Sequence, residues 1–204
     1  RGHPLLLLAR RLDVMEKLNL PNTLCKSVDV TDRKALVTAV QEAEARFGPA
    51  DVIINNAGVM LLGDATKQNP DEWDRMLEVN VKGLLNGIHA VSAGMVARKH
   101  GTIINISSVA GRKTFANHVA YTATKFAVHG LSENLREKRS PYDVRVVTIA
   151  PGAVETELLS HTNDAGIKAG YEAWKKDMGA PVLSADDVAR AIVYAYDQPQ
   201  GVCI

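Results

Sequence analysis

The sequence predicts an α/β fold, a doubly wound parallel sheet forming a single domain over residues 1–204. Three observations predict it. Short apolar runs alternate with longer amphipathic stretches along the whole chain. The runs are unbroken, not polar–apolar alternations, which is the pattern of strands covered on both faces. A length of 204 residues, 46% hydrophobic and 23% charged, suits one domain with a sizeable core.

Taken in order, Pro4–Ala9 reads as a strand and Thr23–Val28 as a weaker one. Asp32–Phe47 has helical periodicity, with Ala35, Leu36, Ala39, Val40 and Ala43 on one face and Gly48-Pro49 as its stop. Asp51–Ile54 is a strand, and Pro70–Lys99 reads as one long helix. Gly101–Ser107 is a strand, His118–Lys138 a second long helix, and Val144–Ile149 a strand. Thr156–Met178 reads as polar and irregular, with Leu158, Leu159, Tyr171, Trp174 and Met178 scattered through it. Ser184–Tyr196 is a helix capped by Ser184, with Asp187 three residues on. Gly201–Ile204 reads as a strand beginning. Both ends look cut. Residues 1–4 run straight into a strand, and no glycine-rich βα turn precedes Leu5.

Composition narrows the function. Lys and Arg number 24 against 23 Asp and Glu, a net charge of +1, which argues against nucleic acid or an acidic membrane surface as partner. Two distant cysteines make a disulfide framework or a zinc site an unattractive reading, and a reducing cytoplasm is the default expectation. No apolar run reaches the roughly 18–20 residues of a membrane helix. The six histidines show no metal-ligand spacing, so no metal is expected. No serine stands in G-x-S-x-G, so a hydrolase elbow is not supported.

The chemistry concentrates between Ile103 and Lys125. Ile103-Ile104-Asn105-Ile106-Ser107-Ser108 ends a strand, where ligands bind in such sheets. Tyr121 and Lys125, four apart on a helix, share one face. A phenol titrates near pH 10, and a neighbouring ammonium is expected to lower that value. Tyr121 could then trade a proton with a substrate oxygen, while Ser108 orients the same oxygen. A Tyr-x-x-x-Lys pair alone is a weak signal, and it recurs at Tyr171 and Lys175. Context separates the two: at the offset that places Ser108 before Tyr121, Leu158 stands before Tyr171.

Further motifs extend the pattern. Asn55-Asn56-Ala57-Gly58 follows a strand, Asn80 opens Asn80-Val81-Lys82-Gly83, and Pro151-Gly152-Ala153-Val154-Glu155-Thr156 follows the last strand. In order and spacing, these motifs resemble the short-chain dehydrogenase/reductase family. The resemblance implies a Rossmann-like fold, a nicotinamide cofactor and Asn80, Ser108, Tyr121 and Lys125 as catalytic residues. It implies cofactor contacts from Asp29 and Val30 beside the adenine and from Asn56, Ala57, Gly58, Tyr121 and Lys125. Pro151, Gly152, Val154 and Thr156 would hold the nicotinamide. Asn80 would help hold a water linking Lys125 to solvent. Residues 156–180 would form the substrate-binding loop, and the two long helices would build a dimer or tetramer.

The family's glycine-rich phosphate loop has no counterpart. Either the chain is a piece of a longer polypeptide, which the intactness of every other motif favours, or the loop has been lost. The first strand ends Ala9-Arg10-Arg11, and guanidinium groups there suit a 2′-phosphate, so NADP(H) is the expected cofactor. The expected reaction interconverts a small carbonyl compound with an alcohol or hydroxy acid. Within the family the sequence is similar to a group that includes serine-type 3-hydroxy acid dehydrogenases, clavaldehyde dehydrogenase and an NADPH-binding fluorescent protein. The last suggests an alternative, a binder of NADPH with little turnover.

Overall fold

A computed structural model describes residues 2–179 and 181–204. Five strands alternate with helices: β1 Leu5–Ala9, α1 Leu12–Glu16, β2 Thr23–Ser27, α2 Arg33–Phe47 and β3 Val52–Asn55. Then come α3 Pro70–Leu77, a π-helical segment Glu78–Gly83, α4 Leu84–Arg98, β4 Gly101–Ile106, α5 Val119–Arg139 and β5 Val144–Ile149. Helices α6 Ala165–Asp177 and α7 Ala185–Asp197 complete the order. Every strand pairing is parallel, as unbroken apolar strands require.

Alternation along the strands sends neighbouring side chains to opposite faces. Ile103 and Val146 pack with Leu36, Val40, Ile88, Val91 and Val128 from α2, α4 and α5. Ile104 and Val147 face the other way and meet Ile192, Ala195 and Tyr196 of α7. Helices on both faces of the β3–β4–β5 sheet make the fold doubly wound. Local chemistry fixes the helix ends. Asp32 caps α2 by accepting from the Ala35 N–H, and Ser184 with Asp187 forms a reciprocal capping box at α7.

The structure corrects four expectations. The strands form two sheets, β1–β2 and β3–β4–β5, and not one. The facing edges of β1 and β3 have no strand between them among the described residues, and both line one open cavity. Residues 70–99 are helical almost throughout, but six of them adopt π geometry. The segment 156–178 is not irregular: it holds a short 3-10 turn, Glu157–His161, and the 13-residue helix α6. Its periodicity was present, since Ile167, Tyr171 and Trp174 recur on one face, and Asp164 caps the helix by accepting from the Ile167 N–H. Finally, residues 201–204 form no strand.

One buried charge escaped the sequence reading. Arg145 in β5 is 5% exposed. Its guanidinium donates to Thr102 Oγ1 and to the carbonyls of Tyr196 and Gln198. It thereby satisfies carbonyls left open at the end of α7, a cation at the negative end of a helix.

Candidate active site

Because the strands of each sheet are parallel, their carboxyl ends lie together within that sheet. The residues that follow them line a cavity of about 2050 Å³: Arg10 and Arg11 after β1, Asp29 and Val30 after β2, Asn56–Gly58 after β3, Ser108 after β4, and Pro151, Gly152, Val154 and Thr156 after β5. Tyr121 and Lys125 join them from the first turns of α5. Asn80, alone among the residues singled out, does not line the cavity.

Ser108 caps the 3-10 turn Val109–Gly111, its Oγ accepting from the Ala110 N–H at 3.1 Å. That turn packs tightly on α5. A Cβ on Gly111 would lie 2.7 Å from the Lys125 carbonyl oxygen and 2.3 Å from the His129 ring, so a side chain would push α5 away. The close approach sets the Ser108 hydroxyl where it partly lowers the titration of the Tyr121 phenol. One turn on, Lys125 Nζ lies 5.7 Å from the Tyr121 ring centre and donates to the Ile106 carbonyl at 3.0 Å. Ser107 Oγ donates to the Lys125 carbonyl at 3.2 Å, tying the end of β4 to α5.

Burial governs both titrations. The Tyr121 phenol is pushed up to about 12 by desolvation, partly offset by Ser108. The Lys125 ammonium is pulled down to about 8 by the same cause. This overturns the expectation that Lys125 lowers the Tyr121 value. The ammonium is turned to Ile106 and not to the phenol oxygen, and the interior penalises both charged forms.

Asn80 sits in the π segment, 2% exposed. Its Oδ1 accepts from the Val59 N–H at 2.8 Å, and its Nδ2 donates to the Val59 carbonyl at 2.9 Å and to Thr124 Oγ1 at 3.1 Å. It thus clamps the Asn56–Gly58 turn against α5, one residue from Lys125. Sequence reasoning missed Thr124, whose signal was its place beside Lys125 in Tyr121-Thr122-Ala123-Thr124-Lys125. It also missed Thr162, fully buried, which donates to the Met60 carbonyl and accepts from the Leu62 N–H, fastening the 157–161 turn to the body.

At the cavity's other end, Arg11 pairs with Glu157 at 2.8 Å, while Arg10 forms no ion pair among the described residues. Asp29 accepts from the Thr31 N–H and hydroxyl and pairs with Arg75 at 3.5 Å, which holds its carboxyl below the ordinary range. Gly152 faces open space, and Thr156 caps the following turn by accepting from the Leu158 N–H. The second Tyr–Lys pair lines the same cavity from α6. There Lys175 lies between Glu155, at 3.0 Å, and Glu172, at 2.9 Å.

The family model described as short chain dehydrogenase matches residues 7–166. The chain belongs to the short-chain dehydrogenase/reductase family. This oxidoreductase is 38% identical over 205 residues to an uncharacterized oxidoreductase of Staphylococcus saprophyticus, covering 98% of the chain and 82% of that relative. It is also 38% identical over 203 residues to the glycine betaine reductase of Emericella nidulans, of which the match covers 16%. Among solved structures, a closed form of serine dehydrogenase complexed with NADP+ superposes with a TM-score of 0.90 at 33% identity, covering the whole chain and 83% of that one. Serine dehydrogenase from Escherichia coli gives 0.83 at 32% identity, covering the whole chain and 84% of its own. No helix of this short-chain dehydrogenase, among the described residues, is long and apolar enough to cross a membrane.

Proposed function

We propose that the chain is an NADP(H)-dependent oxidoreductase that interconverts a carbonyl and an alcohol, with Tyr121 as the proton donor to the carbonyl oxygen. One observation carries this reading: Ser108, Tyr121 and Lys125 converge on one cavity whose far end presents Arg10 and Arg11.

The residues present fit most of a nicotinamide dinucleotide. Gly152 leaves open space beside Pro151, Val154 and Thr156, and Tyr121 and Lys125 stand across from them. Asp29 and Val30 border the adenosine end, and the Arg10 guanidinium suits a 2′-phosphate. Between β1 and β3 the described residues supply no glycine-rich turn to grip a pyrophosphate. When bound, the cofactor supplies or receives the hydride.

The chain's own residues do the rest. Tyr121, protonated at neutral pH, donates its proton to the carbonyl oxygen when the reaction runs as a reduction. Ser108 orients the oxygen that takes the proton. Lys125, charged below about pH 8, supplies positive charge one helical turn from the phenolate that forms and would help hold the cofactor. Asn80 positions Lys125 through Thr124 and the Val59 turn. Residues 156–180 act as the substrate-binding loop, of which Ala180 lies outside the described residues.

The exposed apolar side chains Leu85 on α4 and Phe126 on α5 suit burial in a dimer or tetramer. Sedimentation of a dimer or larger is the expected result, and a monomer at micromolar concentration would oppose it.

The test is NADPH consumption by the purified protein against a panel of aldehydes and keto acids. Steady turnover of at least one of them is expected. Binding of NADPH without consumption favours the alternative of a low-turnover binder, and equal use of NADH removes the NADP(H) preference.

A further inference from the structure

The substrate end of the cavity is walled by rings. Phe115 and Trp174 meet edge-on with centroids 6.0 Å apart, Tyr171 and Trp174 lie 5.3 Å apart, and His118 stands 6.0 Å from both Tyr171 and Tyr121. All line the cavity, and Leu158 and Leu159 pack into the same cluster. Burial holds the His118 imidazole below its ordinary value, so it is neutral at neutral pH.

Of the lysines and arginines lining the cavity, all but Arg10 are otherwise engaged. Lys175 lies between the carboxylates of Glu155 and Glu172, which do not themselves line the cavity, so its charge is already matched. Lys125 donates to the Ile106 carbonyl. Arg11 pairs with Glu157 and Arg75 with Asp29, both toward the adenosine end, where Arg10 also lies. A substrate carboxylate entering beside Tyr121 would lose water and meet apolar carbon and a Lys175 whose charge is already matched by two carboxylates. An unpaired buried charge is the costliest group to bring into such a site.

We propose that this site takes carbonyl compounds bearing an apolar or aromatic group and rejects those bearing a carboxylate. The proposal rests on the carbonyl-reductase reading above and narrows it. It separates the chain from a hydroxy-acid specificity such as the name serine dehydrogenase indicates for its structural neighbours. Phe115, Tyr171 and Trp174 set the preference for rings, and the pairing of Lys175 with Glu155 and Glu172 leaves it no charge to offer an anion.

Two matched substrate pairs test it. para-Tolualdehyde and para-carboxybenzaldehyde exchange a methyl for a carboxylate, and pentanal and succinic semialdehyde exchange an ethyl for a carboxylate. With NADPH, kcat/KM should favour the neutral member of each pair by at least roughly tenfold, the scale a single pocket contact carries, with the difference in KM more than in kcat. Trp174→Ala should raise KM for para-tolualdehyde and leave that for pentanal nearly unchanged. Glu155→Gln combined with Glu172→Gln frees the Lys175 charge and should shrink the preference against the carboxylates. Equal or better use of the carboxylated members by the wild-type protein overturns the substrate proposal alone. No NADPH consumption with any of the four overturns the carbonyl-reductase reading, and the substrate proposal falls with it.

Discussion

Asn80 holds both backbone polar groups of Val59: Oδ1 accepts from its N–H at 2.8 Å and Nδ2 donates to its carbonyl at 2.9 Å. The contact is buried, so water does not replace it. Asn80→Ala therefore leaves two backbone groups unpaired, at a cost of about 1–3 kcal/mol each. The urea midpoint should fall accordingly. Activity should fall further than stability explains, because the Gly58 turn and Lys125 lose their shared support. Unchanged midpoint and activity would show that Asn80 is dispensable to the site.

A pH profile follows from Lys125. Its ammonium is lost near pH 8 in the folded protein, whereas Tyr121 keeps its proton to about 12. The rate of reduction should hold through neutral pH and decline above about 8. Stability should move oppositely. Above about 8 the folded Lys125 has released a proton that the unfolded chain still binds, so stability rises with pH until the unfolded lysine also titrates. Lys125→Met should abolish both effects, measured by kcat/KM and by urea melts across pH.

Arg10 and Arg11 are unequal. Arg11 shares its guanidinium with Glu157 in an exposed pair, while Arg10 has no such competitor among the described residues. A hydrogen bond to a charged group contributes about 1.5–3 kcal/mol. Arg10→Ala should accordingly weaken NADPH binding by roughly 10–100-fold. Arg11→Ala should cost less, and NADH binding should barely change in either variant. Parallel loss of NADPH and NADH affinity would contradict a 2′-phosphate contact.

Packing of α4 on β3 depends on Gly87. A Cβ there would fall 2.1 Å from Asn55 Oδ1 and 3.2 Å from Ile53 Cδ1. Asn55 also donates to Asn105, which donates to Ser132, so it cannot yield without breaking a buried chain of hydrogen bonds. Gly87→Ala should destabilise the fold by on the order of 1–3 kcal/mol, read as a lower melting temperature. A melting temperature equal to the wild type would show that Asn55 can move aside.

Much of this was legible in the residues. Apolar strands and the parallel rule placed Arg10 and Ser108 at one edge, and the family resemblance added Asp29, Asn56 and Gly152. The bonds that organise the edge were not legible. That Asn80 reaches Val59 and Thr124 depends on the π segment, and no local pattern in Glu78–Gly83 distinguishes π from α geometry. The upward shift of Tyr121 depends on how deeply α5 buries it, and a Tyr–Lys spacing does not report burial. The sheet divides because, among the described residues, no strand pairs with both β1 and β3, a fact of topology and not of either strand's own sequence.

The most direct test of the central claim compares the wild-type protein with Tyr121→Phe in NADPH consumption at a saturating neutral aldehyde. Removing the proton donor should lower kcat by roughly 10²–10⁴-fold while NADPH still binds with near-normal affinity. A Tyr121→Phe protein that keeps full kcat would contradict the account.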